Sequence, residues 1–227
     1  MLQSLINLLY PTLCNGCDAL LLEYEDTICT RCRHDLPFTQ HYRNPGNETA
    51  QKFYGRLPLE HASSLVYFHK DGMVQELIHN LKYRKQQSVG RVMGGLYAPL
   101  LKQVPELATV TDIIPVPLHP RRLRERGYNQ VTEFGLALSA GMQVPYTDDI
   151  LLRETYTKTQ TKKGREKRAA GVGSAFGIRN ADVHTGKHFL LIDDVITTGA
   201  TLEACGKLLL EIPGARLSIV TIAYAQS

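Results

Sequence analysis

Apolar positions along the chain fall into short runs and helical spacings that alternate from residue 64 onward. Ser64 to Phe68 (SLVYF) predicts a first strand. Asp71 is placed to cap a helix whose apolar face is Met73, Val74, Leu77, Ile78 and Leu81. A second helix carries Val89, Val92, Met93, Leu96, Tyr97, Leu100, Leu101 and Val104 at spacings of three and four, with a kink expected at Pro99. Asp112 to Val116 reads as the next strand, stopped by Pro115 and Pro117. Val131, Phe134 and Leu138 predict a helix from Tyr128 onward, and Asp149 to Leu152 a short strand. Phe189 to Ile192 is an unbroken apolar run, as in a strand buried on both faces. It opens a complete βαβ crossover: strand 189–193, a helix with Leu202, Cys205, Leu208 and Leu209 on one face, and strand Leu217 to Ala223. The pattern therefore predicts an α/β fold, a parallel sheet with helices on both faces.

Before residue 64 the pattern changes. Leu2, Leu5, Ile6 and Leu9 share one helical face, and residues 39–61 are polar and irregular around Asn44-Pro45-Gly46-Asn47. The expected organisation is an apolar helix and cysteine module over 1–38, a linker over 39–61, and the larger domain over 62–227. The opening MLQSLINLLY has no basic residue before its apolar part and is too short to span a bilayer. Cytoplasm is the expected compartment.

Composition adds two things. Four of the five cysteines form CxxC…CxxC: Cys14 and Cys17, then Cys29 and Cys32. In a reducing compartment this spacing points to a tetrahedral Zn²⁺ site, closed by four thiolates and so structural. A redox role needs only one CxxC in a thioredoxin-like setting, which this segment lacks. Cys205 lies on an apolar helix face and reads as a small core residue. The net charge of +4 is unevenly spread: residues 1–50 hold three basic against six acidic groups, leaving 23 basic and 16 acidic for the rest. Any grip on a polyanion should therefore sit on the larger domain.

The chemistry gathers at the end of the apolar run. Adjacent carboxylates point to opposite faces of a continuing strand, so Asp193 and Asp194 are expected at the strand's end, facing solvent or ligand. Val195-Ile196-Thr197-Thr198-Gly199-Ala200-Thr201 then leads into a helix, where free N–H groups and the positive helix end make an anion cradle. Carboxylates for vicinal hydroxyls beside a cradle for phosphate suit a sugar phosphate. Arg121, Arg122, Arg124 and Arg126 follow the strand ending at Val116, at the edge where open α/β sheets bind ligands. They suit pyrophosphate or nucleic acid. Lys162, Lys163, Arg165, Lys167 and Arg168 lie in a polar stretch from Thr155 to Arg168 and suit the same two partners. Leu81-Lys82-Tyr83-Arg84-Lys85 reads as a solvated helix end.

The stretch FLLIDDVITTGATL resembles the signature of type I phosphoribosyltransferases. By that resemblance Asp193 and Asp194 hold the ribose of 5-phosphoribosyl-1-pyrophosphate (PRPP) with Mg²⁺, and the loop through Thr201 holds its 5′-phosphate. The order LKYRK, IIPVPLHPRRLRERGYNQ, Thr159-Gln160, IDDVITTGAT behind a four-cysteine module is similar to the ComF/GntX family. That resemblance implies a PRPP-binding protein of natural transformation that handles incoming single-stranded DNA. DNA-uptake or recombination proteins would be its partners, and its place cytoplasmic or peripheral at the inner face of the membrane. The alternative is an active phosphoribosyltransferase acting on a base or related acceptor. Thr197 stands where purine-salvage relatives carry an aspartate general base, and Ala169-Ala170-Gly171 where the family pattern has an asparagine.

Overall fold

A computed structural model of the chain describes residues 11–153 and 175–226. In chain order the elements are α1 (Thr30–His34), α2 (Glu48–Gln51), β1 (His61–Phe68), α3 (Met73–Tyr83), α4 (Ser88–Leu101), β2 (Asp112–Pro115), α5 (Pro120–Arg126), α6 (Thr132–Met142), β3 (Leu151–Arg153), β4 (Phe176–Ile178), β5 (His188–Ile196), α7 (Ala200–Leu210) and β6 (Arg216–Ala225). Four strands form a parallel sheet in the order β1-β6-β5-β2. β3 and β4 make a separate antiparallel pair, of which β4 had no signal in the apolar pattern.

The expected architecture is present, because the apolar run of β5 supplies side chains to both faces. Leu190 and Ile192 join Leu77, Leu81, Met93 and Phe134 on the face covered by α3, α4 and α6. Phe189 and Leu191 join Phe53, Leu57, Leu202, Cys205 and Leu209 on the face covered by α7. Cys205 is fully buried there, as its spacing required. α4 and α6 touch through Gly94, where a Cβ would stand 2.7 Å from that of Ala137.

Local details differ from the pattern reading. Asp71 does not cap α3; it is left-handed (φ 59°), its N–H donates to Gln75 Oε1, and Gly72 takes the cap position. α6 begins at Thr132 instead of Tyr128. Asn129 occupies the intervening turn, with its amide donating to Val116 O at 3.0 Å and its carbonyl oxygen accepting from Val131 N. β1 starts three residues earlier than expected, at His61.

Residues 39–61 are packed against the sheet. Phe38 bridges Val66 on the outer edge of β1, and Thr39 N donates to Leu65 O. Asn47 caps α2 and donates to the carbonyls of His41, Asn44 and Ala62. His41, Thr49, Ser64 and Thr221 form a buried hydrogen-bonded chain through their side chains. Phe53 is buried under the loop that follows β5. The polar residues that read as irregular chain thus include side chains that satisfy buried backbone carbonyls (Asn47) and a buried hydroxyl chain (His41, Thr49).

Candidate functional site

The carboxyl ends of all four parallel strands lie on one edge of the sheet, where the loops after β2 and β5 emerge. β5 runs past both aspartates: Asp193 pairs with Thr221, Val195 with Ala223 and Ile196 with Tyr224. The expectation that the strand stops at Asp193 is therefore corrected. Neighbouring β6 is long enough to keep pairing, so the two carboxyls fall on opposite faces.

Their surroundings differ accordingly. Asp194 is buried, with Oδ1 3.0 Å from Lys82 Nζ and Oδ2 accepting from Gln130 Nε2 at 2.7 Å. Asp193 Oδ1 accepts the N–H of Asp194 at 2.8 Å. Burial, reinforced by the charge of Asp194, pushes the Asp193 carboxyl well above the usual range, against the pull of that N–H and of Lys82. Cys205 lies on the Asp193 side, where burial first and the aspartate second raise its thiol.

Beyond Ile196 the chain turns sharply into α7. Gly199 is left-handed (φ 77°) and its absent Cβ would stand 3.1 Å from the Phe53 ring, so the turn needs glycine for both conformation and space. Thr197, Thr198, Ala200 and Thr201 are exposed, and the first turn of the helix leaves its N–H groups without intrahelical partners. Arg56 holds this turn from outside. It donates to Thr198 O at 3.1 Å and pairs with Glu203 in the first turn of α7. Nothing in the local sequence of Arg56 announces that task, since Thr198 and Glu203 are more than a hundred residues away.

Arg121, Arg122, Arg124 and Arg126 lie on α5, a two-turn helix with no buried residue. Arg121 pairs with Glu125 at 2.9 Å. Arg126 donates to Gln130 Oε1 at 2.8 Å, and its guanidinium lies over the Tyr83 ring at 5.2 Å. Only Arg122 and Arg126 of the four line the cavity that α5 shares with the end of α3. Lys82 and Gln130, which read as parts of a solvated helix end and of the RGYNQ string, are the residues that touch Asp194. Lys162, Lys163, Arg165, Lys167 and Arg168 lie outside the described residues, as does the helix expected over Leu2 to Leu9.

The four cysteines converge beside α3, where Asn80 donates to Asn15 O at 2.9 Å. Their sulfurs all lie within 4.8 Å of one another, Cys17 and Cys29 at 3.7 Å. The separation matches two corners of a tetrahedron of Zn–S bonds. Two turns present them: Leu13 bridges Leu20 around the first pair, and Cys29 caps α1, where the second pair sits. Cys14 Sγ accepts N–H groups from Cys29 and Gly16, at 3.2 and 3.4 Å. Burial opposes ionisation of Cys14, but these donors and that of Cys17 pull its thiol down to about 7. Four converging sulfurs, three of them buried, fit a divalent metal, and they could hold zinc with no position left for a substrate. Cys14, Ile28, Cys29, Cys32 and Leu36 belong to the same apolar cluster as Leu77 and Leu190, so the centre is continuous with the core of the sheet.

No helix among the described residues is long and apolar enough to cross a membrane.

Residues 133–227 match the phosphoribosyl transferase domain family. The chain is 26% identical over 217 residues to Competence protein F of Haemophilus influenzae, covering 94% of this chain and 90% of that one. It is 40% identical over 100 residues to Competence protein ComFC of Streptococcus pneumoniae, 44% of this chain and 42% of that one. It is 28% identical over 149 residues to DNA utilization protein YhgH of Escherichia coli K12, 63% of each chain. The last two alignments span less than two thirds of those relatives.

Proposed function

We propose that the chain is a phosphoribosyltransferase-like protein of the ComF family, that it binds Mg²⁺ and PRPP, and that it serves natural transformation by handling incoming single-stranded DNA. The observation that carries the first half is the turn from β5 into α7: a left-handed Gly199 presents exposed Thr197, Thr198, Ala200 and Thr201 at the carboxyl edge, a few residues beyond the carboxyl groups of Asp193 and Asp194. In this reading the helix end and threonines take the 5′-phosphate, and Asp193 and Asp194 take the ribose hydroxyls. Magnesium would neutralise the pyrophosphate. Asp194 must exchange Lys82 for the ligand, so binding carries a rearrangement at that ion pair. The second half draws on the relatives named competence and DNA utilization proteins and on the excess of basic residues beyond residue 50.

Calorimetric titration of Mg²⁺-PRPP into the protein tests the site, with saturable binding expected for the wild type and none for Asp193→Ala/Asp194→Ala. A strain carrying that variant should lose transformation. Normal transformation by a folded variant that does not bind PRPP removes the proposed link. Release of pyrophosphate on adding a base would instead assign the chain a transferase activity.

A further inference from the structure

A cavity of about 280 Å³ opens between the end of α3 and α5, lined by Lys82, Tyr83, Lys85, Arg122, Arg126 and Tyr128. Its one lining carboxylate, Glu125, is turned onto Arg121. Among the described residues, Lys85 and Arg122 form no ion pair.

Two features are hard to reconcile with a merely solvated surface. Lys85 is left-handed (φ 58°) just beyond α3, where the chain turns back with Arg84 N and Gln86 N both donating to Asn80 O. Glycine is the residue favoured there, so a lysine accepts backbone strain to place its ammonium at the cavity. Tyr83 is 65% exposed even though the Arg126 guanidinium lies 5.2 Å over its ring and the His79 ring is 5.2 Å away, so a base on Tyr83 would stack on the ring area those two leave open. A small anion such as pyrophosphate would use the cations and ignore the rings. Cations beside exposed aromatic faces suit a nucleotide chain, whose phosphate and base are recognised separately.

The two walls also hang on one group. Lys82 of the first wall pairs with Oδ1 of Asp194, and Arg126 of the second wall reaches Oδ2 through Gln130. A ligand that takes Asp194 frees the Lys82 ammonium beside the cavity and loosens the hold on Arg126.

We propose that this cavity receives one nucleotide of a single-stranded nucleic acid, its phosphate on Lys85 and Arg122 and its base on Tyr83, and that Asp194 couples its occupancy to the ribose-phosphate site. The coupling rests on the reading of Asp194 given above; the nucleotide site does not. Linkage requires the effect to be mutual, with Mg²⁺-PRPP strengthening strand binding by the factor that the strand strengthens PRPP binding.

The test is fluorescence anisotropy of labelled oligothymidylate with the full chain, over a range of salt and with or without Mg²⁺-PRPP. Tyr83→Ala and Arg122→Ala should each weaken binding about tenfold, the worth of a stacked base or a phosphate contact. Lys85→Gly should weaken binding and reduce the salt slope by about one, while thermal unfolding stays unchanged or rises because glycine relieves the left-handed residue. Unchanged affinity in Tyr83→Ala and Lys85→Gly overturns the site, as does binding that inorganic pyrophosphate abolishes equally in wild type and Tyr83→Ala. Lys82→Gln, which keeps a donor for Asp194 but no charge, should blunt the Mg²⁺-PRPP effect; an effect of wild-type size overturns the coupling. Absence of any PRPP binding by calorimetry overturns the ribose-phosphate reading and the coupling together, while the oligothymidylate results still decide the cavity.

Discussion

The ammonium of Lys82 lies 3.0 Å from Oδ1 of Asp194, and both side chains are largely withdrawn from water, at 22% and 6% exposure. The sequence gives each of them a separate role, one at a helix end and one at a ligand site. The fold makes them partners. Removing the lysine leaves a buried carboxylate with Gln130 alone. Lys82→Met should therefore cost about 2 kcal/mol in urea denaturation, below the roughly 3–5 kcal/mol of a fully buried pair because the lysine retains some contact with water. Asp194→Asn, which can still accept from Gln130, should cost less than Asp194→Leu.

Gly199 is held to glycine by its left-handed backbone and by Phe53 at 3.1 Å from a Cβ. Gly199→Val should lose about 2 kcal/mol through strain and crowding and weaken Mg²⁺-PRPP by more than tenfold in calorimetry. Gly186, also left-handed but with open space around it and far from the carboxyl edge, supplies the control. Gly186→Ala should show a small stability loss and unaltered titration.

Metal removal should be felt beyond the cysteine module. Cys14, Cys29 and Cys32 share an apolar cluster with residues of α3 and β5, so chelation loosens one boundary of the main core. Metal analysis should find one zinc per chain, and Cys14→Ser or prolonged chelator treatment should lower the thermal midpoint of the whole protein. A variant that loses its zinc with no change in unfolding would show the module to be energetically separate.

Protonation should act in two windows. Burial holds His61 down at about 4, against the carboxylate of Glu106, and burial also lowers His188 and His41. These histidines are neutral in the fold and take up protons more readily unfolded, so the stability they contribute is complete above about pH 6.5 and lost as pH falls toward 4. Asp193 has the opposite sign. Its carboxyl, raised to about 8 by burial and by Asp194, binds a proton in the fold that the unfolded chain has released. Its contribution is complete below the unfolded value and is lost as pH rises through 8. Between pH 6.5 and 8 stability should fall with pH by up to about 1.4 kcal/mol per unit. Denaturation series at several pH values check both limbs: Asp193→Asn should flatten the upper one, and His61→Gln should reduce the lower.

Much of this architecture was readable from the chain. Phe189 to Ile192 suited a doubly covered strand because four apolar residues in succession leave no polar face on a strand. The CxxC spacing placed four sulfurs together because each pair spans a single turn. Thr197 to Thr201 announced a helix start through hydroxyls and a glycine. Each of these signals is local, carried by residues within a turn or two of one another. The unread parts depend on partners remote in sequence. Whether β5 ends at Asp193 is decided by Thr221 and Ala223 on the neighbouring strand, and with it which face each carboxylate takes. Lys82, Gln130 and Arg56 gain their places only when α3, the turn before α6 and the turns after α2 are packed around the sheet. Asn47 and His41 look like loop residues until the carbonyls that Asn47 satisfies and the hydroxyl chain that His41 joins are seen to be buried. The sequence by itself determined the main strands and helices of the parallel sheet, the four cysteines that converge and the chemical character of the loop. Tertiary structure decided which charges meet, because burial and opposite charge act through space, and the chain brings Lys82 to Asp194 across more than a hundred residues.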